Sequence, residues 1–418
     1  MVLTISWLYL FASVLALLNS LNAHRPRYRP SVVAAVSFFA GWLTTELALH
    51  HLALQMIIAG GFVLAGALSA WPGQLALGLS IVSWVLLFLL HRRAGDARGV
   101  LERALDEGLG GTGAVADAAH ATPQETARAA LDWWPLIFPF NARHPDVELI
   151  RDVVYFEEGR LRLRLDVRRP KERKTALSPA LIYVHGGAWV LGDKGQQGLP
   201  VMNRLCTRGW VCFAINYRLS PRATFPDHLI DVKRAIAWVR NHAADYGVDP
   251  AAIAIAGNSA GGHLASLAAL TANDPRYQPD FESTDTTVSA CLSFYGVYDF
   301  TDRHGTWPNP GLSRLLERQV MKLRLKDAPQ AFEDASPIAN LHANAPPFLV
   351  VHGDCDSLVP VAQARHFVEA FRDIAGAPVA YAEVPGAQHA FEVFPSVRTL
   401  HLLRAIERFA DWLVARKG

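Results

Sequence analysis

Cysteine, net charge and metal-type clustering are all scarce in this chain. Only four cysteines occur in 418 residues (Cys206, Cys212, Cys291 and Cys355). That is too few for a disulfide framework in a chain this long, and their spacing fits no metal site, so they read as small core residues. Lys plus Arg (40) nearly balances Asp plus Glu (38), leaving a formal net charge of +2 and no basic cluster large enough for nucleic acid. Nucleotide-type glycine loops, zinc-type His/Cys groupings and internal repeats are missing as well. Nucleic acid, metal and organic cofactors are therefore not expected. What the chain has in excess is apolar length near its start.

Mean hydropathy is +0.15, high for a soluble chain, and the excess sits in residues 1–93. Residues 2–21 carry no charge and match one bilayer in length. No basic residue precedes them and no convincing cleavage site follows, so retention in the membrane is the better reading than a signal peptide. Further apolar segments follow at about 31–49, with the single acid Glu46, at about 52–70, and at about 75–90 after the breaker Trp71-Pro72-Gly73. Four such segments leave almost no polar face. The expectation is an integral membrane region over 1–93 with three or four helices and the lipid bilayer as partner. His24, Arg25, Arg27 and Arg29 form one basic cluster, and His91, Arg92, Arg93, Arg98 and Arg103 another. Both should face the cytoplasm by the positive-inside rule, yet three crossings between them would separate them. Either one segment is re-entrant or merged, or one cluster is outside. The region from residue 148 onward is expected on the cytoplasmic face.

Residues 94–147 read as a linker and cap-like segment, with a hinge at Gly108-Leu109-Gly110-Gly111-Thr112-Gly113. Trp133-Trp134-Pro135-Leu136-Ile137-Phe138-Pro139-Phe140 follows. It is either an interfacial aromatic element resting on the bilayer or roofing a pocket, or a segment packed on the core.

From residue 148 the periodicity drops to two. Residues 153–156 and 161–167 alternate as half-buried strands around a turn at 157–160. Residues 180–184, 211–216 and 348–351 are continuous apolar runs, as in strands buried on both faces, while 197–208 and 227–246 read as helices. Strands alternating with helices imply an α/β fold with a mostly parallel sheet, whose chemistry collects at the carboxyl ends of the strands.

Four motifs fall at such ends. Gly257-Asn258-Ser259-Ala260-Gly261 lies between an apolar run and an alanine-rich helix, and a strand-to-helix turn that sharp projects the Ser259 hydroxyl as a nucleophile. His185-Gly186-Gly187-Ala188-Trp189 places backbone N–H groups where an attacked carbonyl develops negative charge. The expected donors are Gly187, Ala188 and Ala260, with Gly186 an alternative to one of the first two; His185 is expected as a scaffold of that loop. The segment 352–360 offers two acids, of which Asp356, deeper in the loop, is favoured and Asp354 is expected to brace the loop. His389, in a glycine-containing loop after the last strand, is the expected base over His352 and His366. The order Ser259, Asp356, His389 is that of a sheet-borne triad.

With these residues placed, about 150–418 resembles the α/β-hydrolase superfamily and, within it, the hormone-sensitive-lipase-like carboxylesterases. The resemblance rests on His185-Gly186-Gly187-Ala188-Trp189, Asn216-Tyr217-Arg218-Leu219-Ser220-Pro221 with Phe225-Pro226 and Asp231, Gly257-Asn258-Ser259-Ala260-Gly261-Gly262, His352-Gly353-x-x-Asp356 and His389-Ala390-Phe391. Ala188-Trp189 departs from the more usual Gly-Phe. It also looks like arylformamidases, feruloyl-esterase-like enzymes and membrane-anchored isoprenylcysteine methylesterases. The resemblance implies ester hydrolysis through an acyl-enzyme, with His389 deprotonating Ser259 and Asp356 orienting the imidazole. Residues 299–342 then suggest a lid, through Leu312, Leu315, Leu316 and Val320, and an apolar acyl ester is the expected ligand. An amide or formamide hydrolase with the same triad is the alternative, and a catalytically dead binding module a third reading.

Overall fold

Four apolar helices open the structure, a computed structural model described for residues 2–110, 134–140, 143–172 and 176–416. They are α1 (Val2–His24), α2 (Ser31–Glu46), α3 (Ala48–Leu64) and α4 (Trp71–Ala94). At 1.5 Å per residue, α1 and α4 are each about 35 Å long, against a hydrocarbon core of about 30 Å. Among the described residues, Val2–His24 and the rod Trp71–Gly108 are long and apolar enough to cross a membrane. The α2–α3 pair meets that criterion only as a unit, and it is bent by 92°. The expected breaker at Trp71-Pro72-Gly73 is instead the first turn of α4. A proline there costs nothing, because its missing N–H would have no intrahelical partner.

Small polar side chains set the helix directions. Ser6 Oγ donates to Ala67 O (2.7 Å), Ser13 Oγ meets Ser80 Oγ (3.0 Å), Ser20 Oγ meets Ser83 Oγ (2.8 Å) and His24 Nε2 donates to Leu86 O (2.9 Å). The two chains advance together, so α1 runs parallel to α4. In apolar surroundings such pairs hold helices where a hydrophobic drive is lacking. Helix α3 returns the other way: Ala48 packs with Ala23, Leu87 and Leu90, and Ala59 with Tyr9, Ala67 and Ala76. Helix α2 lies at the end where α1 and α4 finish, with Asn22 Nδ2 donating to Ser37 O (2.8 Å) and Asn19 Nδ2 to Thr44 Oγ1 (2.6 Å). Only three helices thus follow the bundle axis, and both basic clusters stand at one end of it.

Beyond α4, α5 (Ala97–Gly108) packs its Leu101 and Leu105 into the same core cluster as Ala380, Leu402 and Ile406. Of the segment expected as linker, this stretch therefore lies within the catalytic region's core. The hinge residues Gly111, Thr112 and Gly113, and Trp133, lie outside the described residues. In 134–140, Trp134, Ile137, Phe138 and Phe140 are exposed, and the His50 ring meets Ile137 O at 3.2 Å.

Eight strands form one sheet in the order β1-β2-β4-β3-β5-β6-β7-β8. β1 (Val147–Glu158), β2 (Leu161–Pro170) and β4 (Val211–Ile215) pair antiparallel; β3 (Ser178–Val184), β4, β5 (Val248–Asn258), β6 (Cys291–Phe294), β7 (Phe348–Gly353) and β8 (Val379–Val384) pair parallel. Strands β4, β6 and β7 are buried throughout, as continuous apolar runs covered by helices on both faces should be. Cys206, Cys212 and Cys291 are buried in this core. The carboxyl ends of β3, β5, β7 and β8 converge at one edge, and α2 lies against it.

Candidate active site

β5 ends at Asn258 and the helix Ala260–Leu270 starts two residues on, so Ser259 alone makes the turn, with φ 55° and ψ −123°. A side-chain-bearing residue there costs about 1–3 kcal/mol and persists only if its surroundings over-determine it. They do: Ser259 N donates to Phe294 O (2.9 Å), and Ser259 O accepts from His263 N (3.0 Å). A Cβ on Gly261 would stand 2.1 Å from Val184 O, so the first helical turn can rest on β3 only with glycine at that position.

His389 Nε2 lies 2.8 Å from Ser259 Oγ, and its Nδ1 lies 2.6 Å from Asp356 Oδ2. Asp356 Oδ1 accepts from the N–H groups of Leu358 (2.9 Å) and Val359 (2.8 Å). Its Oδ2 also faces His352 Nε2 at 3.1 Å. Burial alone would raise the Asp356 carboxyl; the charge of His389 and the hydrogen bonds from His352 and His389 outweigh it and hold the group well below the usual carboxylate range. An ionised Asp356 fixes the proton on Nδ1, leaving the Nε2 lone pair toward the serine hydroxyl. The three residues expected as a triad are thus brought together in hydrogen-bonded sequence.

The competing residues have other partners. Asp354 takes Arg93 on Oδ2 (3.0 Å) and Gly386 N on Oδ1, bracing the loop against α4. His366 stacks on His304 with ring centroids 4.0 Å apart, outside the triad. His185 is buried, bonds through Nδ1 to Gly186 O (2.7 Å) and stacks on Tyr217. His352 Nε2 bonds Asp356 Oδ2 (3.1 Å) and Val359 O (3.0 Å), so its ring is a second neighbour of Asp356.

The loop after β3 bends through three successive left-handed residues: Gly187 (φ 122°), Ala188 (φ 54°) and Trp189 (φ 60°). Gly186 N–H is already taken, by Asn258 Oδ1 (2.8 Å) and Gln197 Oε1 (2.7 Å), which removes it as an alternative donor. Among the described residues, the N–H groups of Gly187, Ala188 and Ala260 have no acceptor. Trp189 is buried with Nε1 donating to His263 Nδ1 (3.2 Å), while His263 Nε2 donates to Ala335 O (2.7 Å).

Sequence reasoning missed several residues that hold this arrangement. Gln388 Oε1 accepts from Ser357 N (2.8 Å) and His389 N (3.0 Å), tying the acid loop to the histidine loop. Tyr295 packs its ring 4.5 Å from His389, receives Asn258 Nδ2 (3.0 Å) and donates to Glu392 Oε2. Glu392 is fully buried, and burial pushes its carboxyl up to about 7 despite the Tyr295 hydrogen bond. Phe38 of α2 meets His389 edge-on at 6.0 Å. Only Asn258, inside the serine motif, carried any local signal.

A cavity of about 210 Å³ opens onto Ser259 and His389. Its walls include Trp189 and Val297 of the sheet edge, Leu312 and Leu315 of the expected lid, and Ser31 and Ala34 of α2. A separate groove of about 270 Å³, lined by Phe140, Leu199 and Phe394 among others, contains none of the triad.

Comparisons with known proteins agree with this geometry. The BD-FAE family model matches residues 165–371. The chain is 43% identical over 408 residues to the probable carboxylic ester hydrolase LipM of Mycobacterium tuberculosis, covering 93% of this chain and 89% of that one. It is 28% identical to isoprenylcysteine alpha-carbonyl methylesterase ICME of Arabidopsis thaliana over 54% of this chain and 52% of that protein. Among solved structures, the esterase Est2 of Thermogutta terrifontis superposes with a TM-score of 0.54 at 28% identity, covering 66% of this chain and 94% of that one. On this sheet order, serine turn and extended identity, the chain belongs to the α/β-hydrolase carboxylic ester hydrolases and is an ester-cleaving enzyme.

Proposed function

We propose that the protein is a membrane-anchored serine hydrolase that cleaves carboxylic esters through Ser259, His389 and Asp356. The observation that carries this reading is the relay of 2.8 Å and 2.6 Å from Ser259 Oγ through the imidazole to Asp356. His389 Nε2 takes the hydroxyl proton as Oγ bonds the acyl carbon, and Asp356 stabilises the imidazolium formed. The carbonyl oxygen becomes an oxyanion facing the N–H groups of Gly187, Ala188 and Ala260. On collapse the ester C–O bond breaks, and His389 returns its proton to the departing alcohol, leaving an acyl-enzyme. Water, deprotonated by the same imidazole, then attacks that acyl carbon and releases the acid and Ser259.

Helices α1 and α4 are proposed as the membrane anchor, supported by their length, with α3 packed beside them; all three leave apolar side chains exposed, such as Phe11, Ile57 and Val85. Placement of the catalytic region on the cytoplasmic face is supported by the two basic clusters standing together at its end of the bundle. An apolar acyl ester fits the mostly apolar walls of the cavity.

The test is hydrolysis of a panel of acyl esters and acyl amides of graded chain length by the full chain and by Ser259→Ala. Ester cleavage that disappears with Ser259 supports the reading. Exclusive cleavage of small soluble amides, or undiminished turnover by the variant, would overturn it.

A further inference from the structure

Helix α2 is the one apolar helix of the first 94 residues that does not follow the bundle axis, and its two faces meet different surroundings. On its inner face, Ser31 and Ala34 line the cavity that holds Ser259 and His389, and Phe38 rests edge-on against the His389 ring. On its outer face Val32, Val36 and Phe39 are 73%, 64% and 67% exposed. Spacings of four and three place these three on one helical stripe, and no described element covers it. Helix α2 is also fixed in position. Trp42 Nε1 donates to Ala390 O (2.8 Å), one residue past His389. Glu46 pairs with Arg398 at 3.2 Å, both side chains fully buried, and accepts from Ser396 Oγ (2.9 Å). At its start, α2 meets the 309–315 segment: Asn309 Nδ2 donates to Tyr28 O (2.7 Å), and a Cβ on Gly311 would lie 3.0 Å from Ser31 Cβ.

An exposed apolar stripe at the end of a bilayer-length bundle is a surface that the membrane interface would cover. The width of one helix, about 10 Å, then lies between that stripe and the cavity. We infer that α2 is the substrate-selecting wall of the site, with Ala34 a specificity-determining residue, and that the ester reaches Ser259 from the bilayer side of α2. The substrate class is an acyl ester dissolved in the membrane, its ester group at interfacial depth and its chain against Ala34, Leu312 and Leu315. Ala34 is buried and lines the cavity beside Leu312 and Leu315, so enlarging it should shorten the space for that chain. The inference rests on the proposed triad and adds to it where the substrate comes from and what limits its size.

The experiment uses the full chain in phosphatidylcholine vesicles. For the series Ala34→Val, Ala34→Leu and Ala34→Trp, kcat/KM is measured on 4-nitrophenyl acetate and octanoate, with fluorophosphonate labelling of Ser259 as a check of the fold. A mismatch of one methylene in an apolar pocket is worth roughly 10–200-fold, so the octanoate-to-acetate ratio should fall stepwise, by at least about tenfold at Trp. If Trp prevents folding, Val and Leu carry the test. With 4-methylumbelliferyl oleate, the rate should follow its mole fraction in the vesicles at constant bulk concentration. An unchanged ratio across labelled variants, or a rate that follows bulk concentration, overturns the inference and leaves the triad standing. Absence of both labelling and ester cleavage in the wild-type chain instead removes the triad reading on which it rests.

Discussion

Breaking the buried ion pair between Glu46 and Arg398 should loosen the enzyme where α2 meets the catalytic region. Both side chains have no solvent exposure, and the pair is separated by 352 residues of chain. Arg398 also donates to Pro385 O (3.0 Å) and Thr45 O (3.3 Å), so in Glu46→Gln the guanidinium keeps two carbonyls but loses its counter-charge. Removing one partner of such a pair costs about 3–5 kcal/mol, because the remaining charge is stranded away from water. At roughly 2 °C per kcal/mol for a large domain, the unfolding midpoint should drop by roughly 6–10 °C. Glu46→Leu with Arg398→Met removes both charges together, and such replacements are often neutral. The double variant should therefore recover most of the loss, a coupling well above the ~0.5 kcal/mol expected of independent sites. Thermal unfolding of wild type, Glu46→Leu, Arg398→Met and the double variant in one detergent, followed by residual esterase activity, reads the cycle. If both single variants lie within about 1 kcal/mol of wild type, the pair is solvated and α2 does not dock as described.

Three further outcomes follow from the site. Asp356→Asn keeps the shape of the acid but lets His389 adopt the wrong tautomer, so kcat should fall about 10⁴-fold with KM little changed; steady-state kinetics checks this, and a loss under tenfold would reassign the acid. Gly187→Ala would place a Cβ 1.9 Å from Leu191 O at φ 122°, forcing the loop to move. Loss of one oxyanion donor costs about 10²–10³ in kcat, and single-turnover acylation should show it. Glu392 gives a pH signature in stability. Its carboxyl rises from 4.5 to about 7 on folding, so it does not oppose folding below 4.5, and it costs progressively more as pH climbs to 7. The total is at most about 3 kcal/mol. Melting curves of wild type should fall across that window, and those of Glu392→Gln should fall less.

The residues of the proposed site could be picked out in the sequence because each sits at a strand end inside a short local pattern. Ser259, His389 and the Gly186-Gly187 turn are marked by glycines that the close approach of backbone demands, and Asp356 by its place after a buried strand. The cores of the parallel strands were equally plain as unbroken apolar runs. What sequence did not disclose are partnerships across long separations. Glu46 looked like a stray acid in an apolar segment, yet it finds Arg398; the ring of Tyr295 supports His389 without any motif around it. The Trp71-Pro72-Gly73 run read as a break because proline stops helices from within, whereas at a helix start it is accommodated. The two basic clusters conflicted only on the assumption that every apolar segment crosses. Helix α2 has the composition of a span and the position of a wall, a distinction made by its bend relative to α3 and by its contacts.

The central claim is that Ser259 is acylated, and trapping it with a fluorophosphonate tests this most directly. Peptide mass spectrometry of the labelled full chain should place one adduct on Ser259, absent in Ser259→Ala and formed far more slowly in His389→Ala, with ester hydrolysis lost in proportion. An adduct on another residue, or ester hydrolysis that persists in Ser259→Ala, would contradict the account.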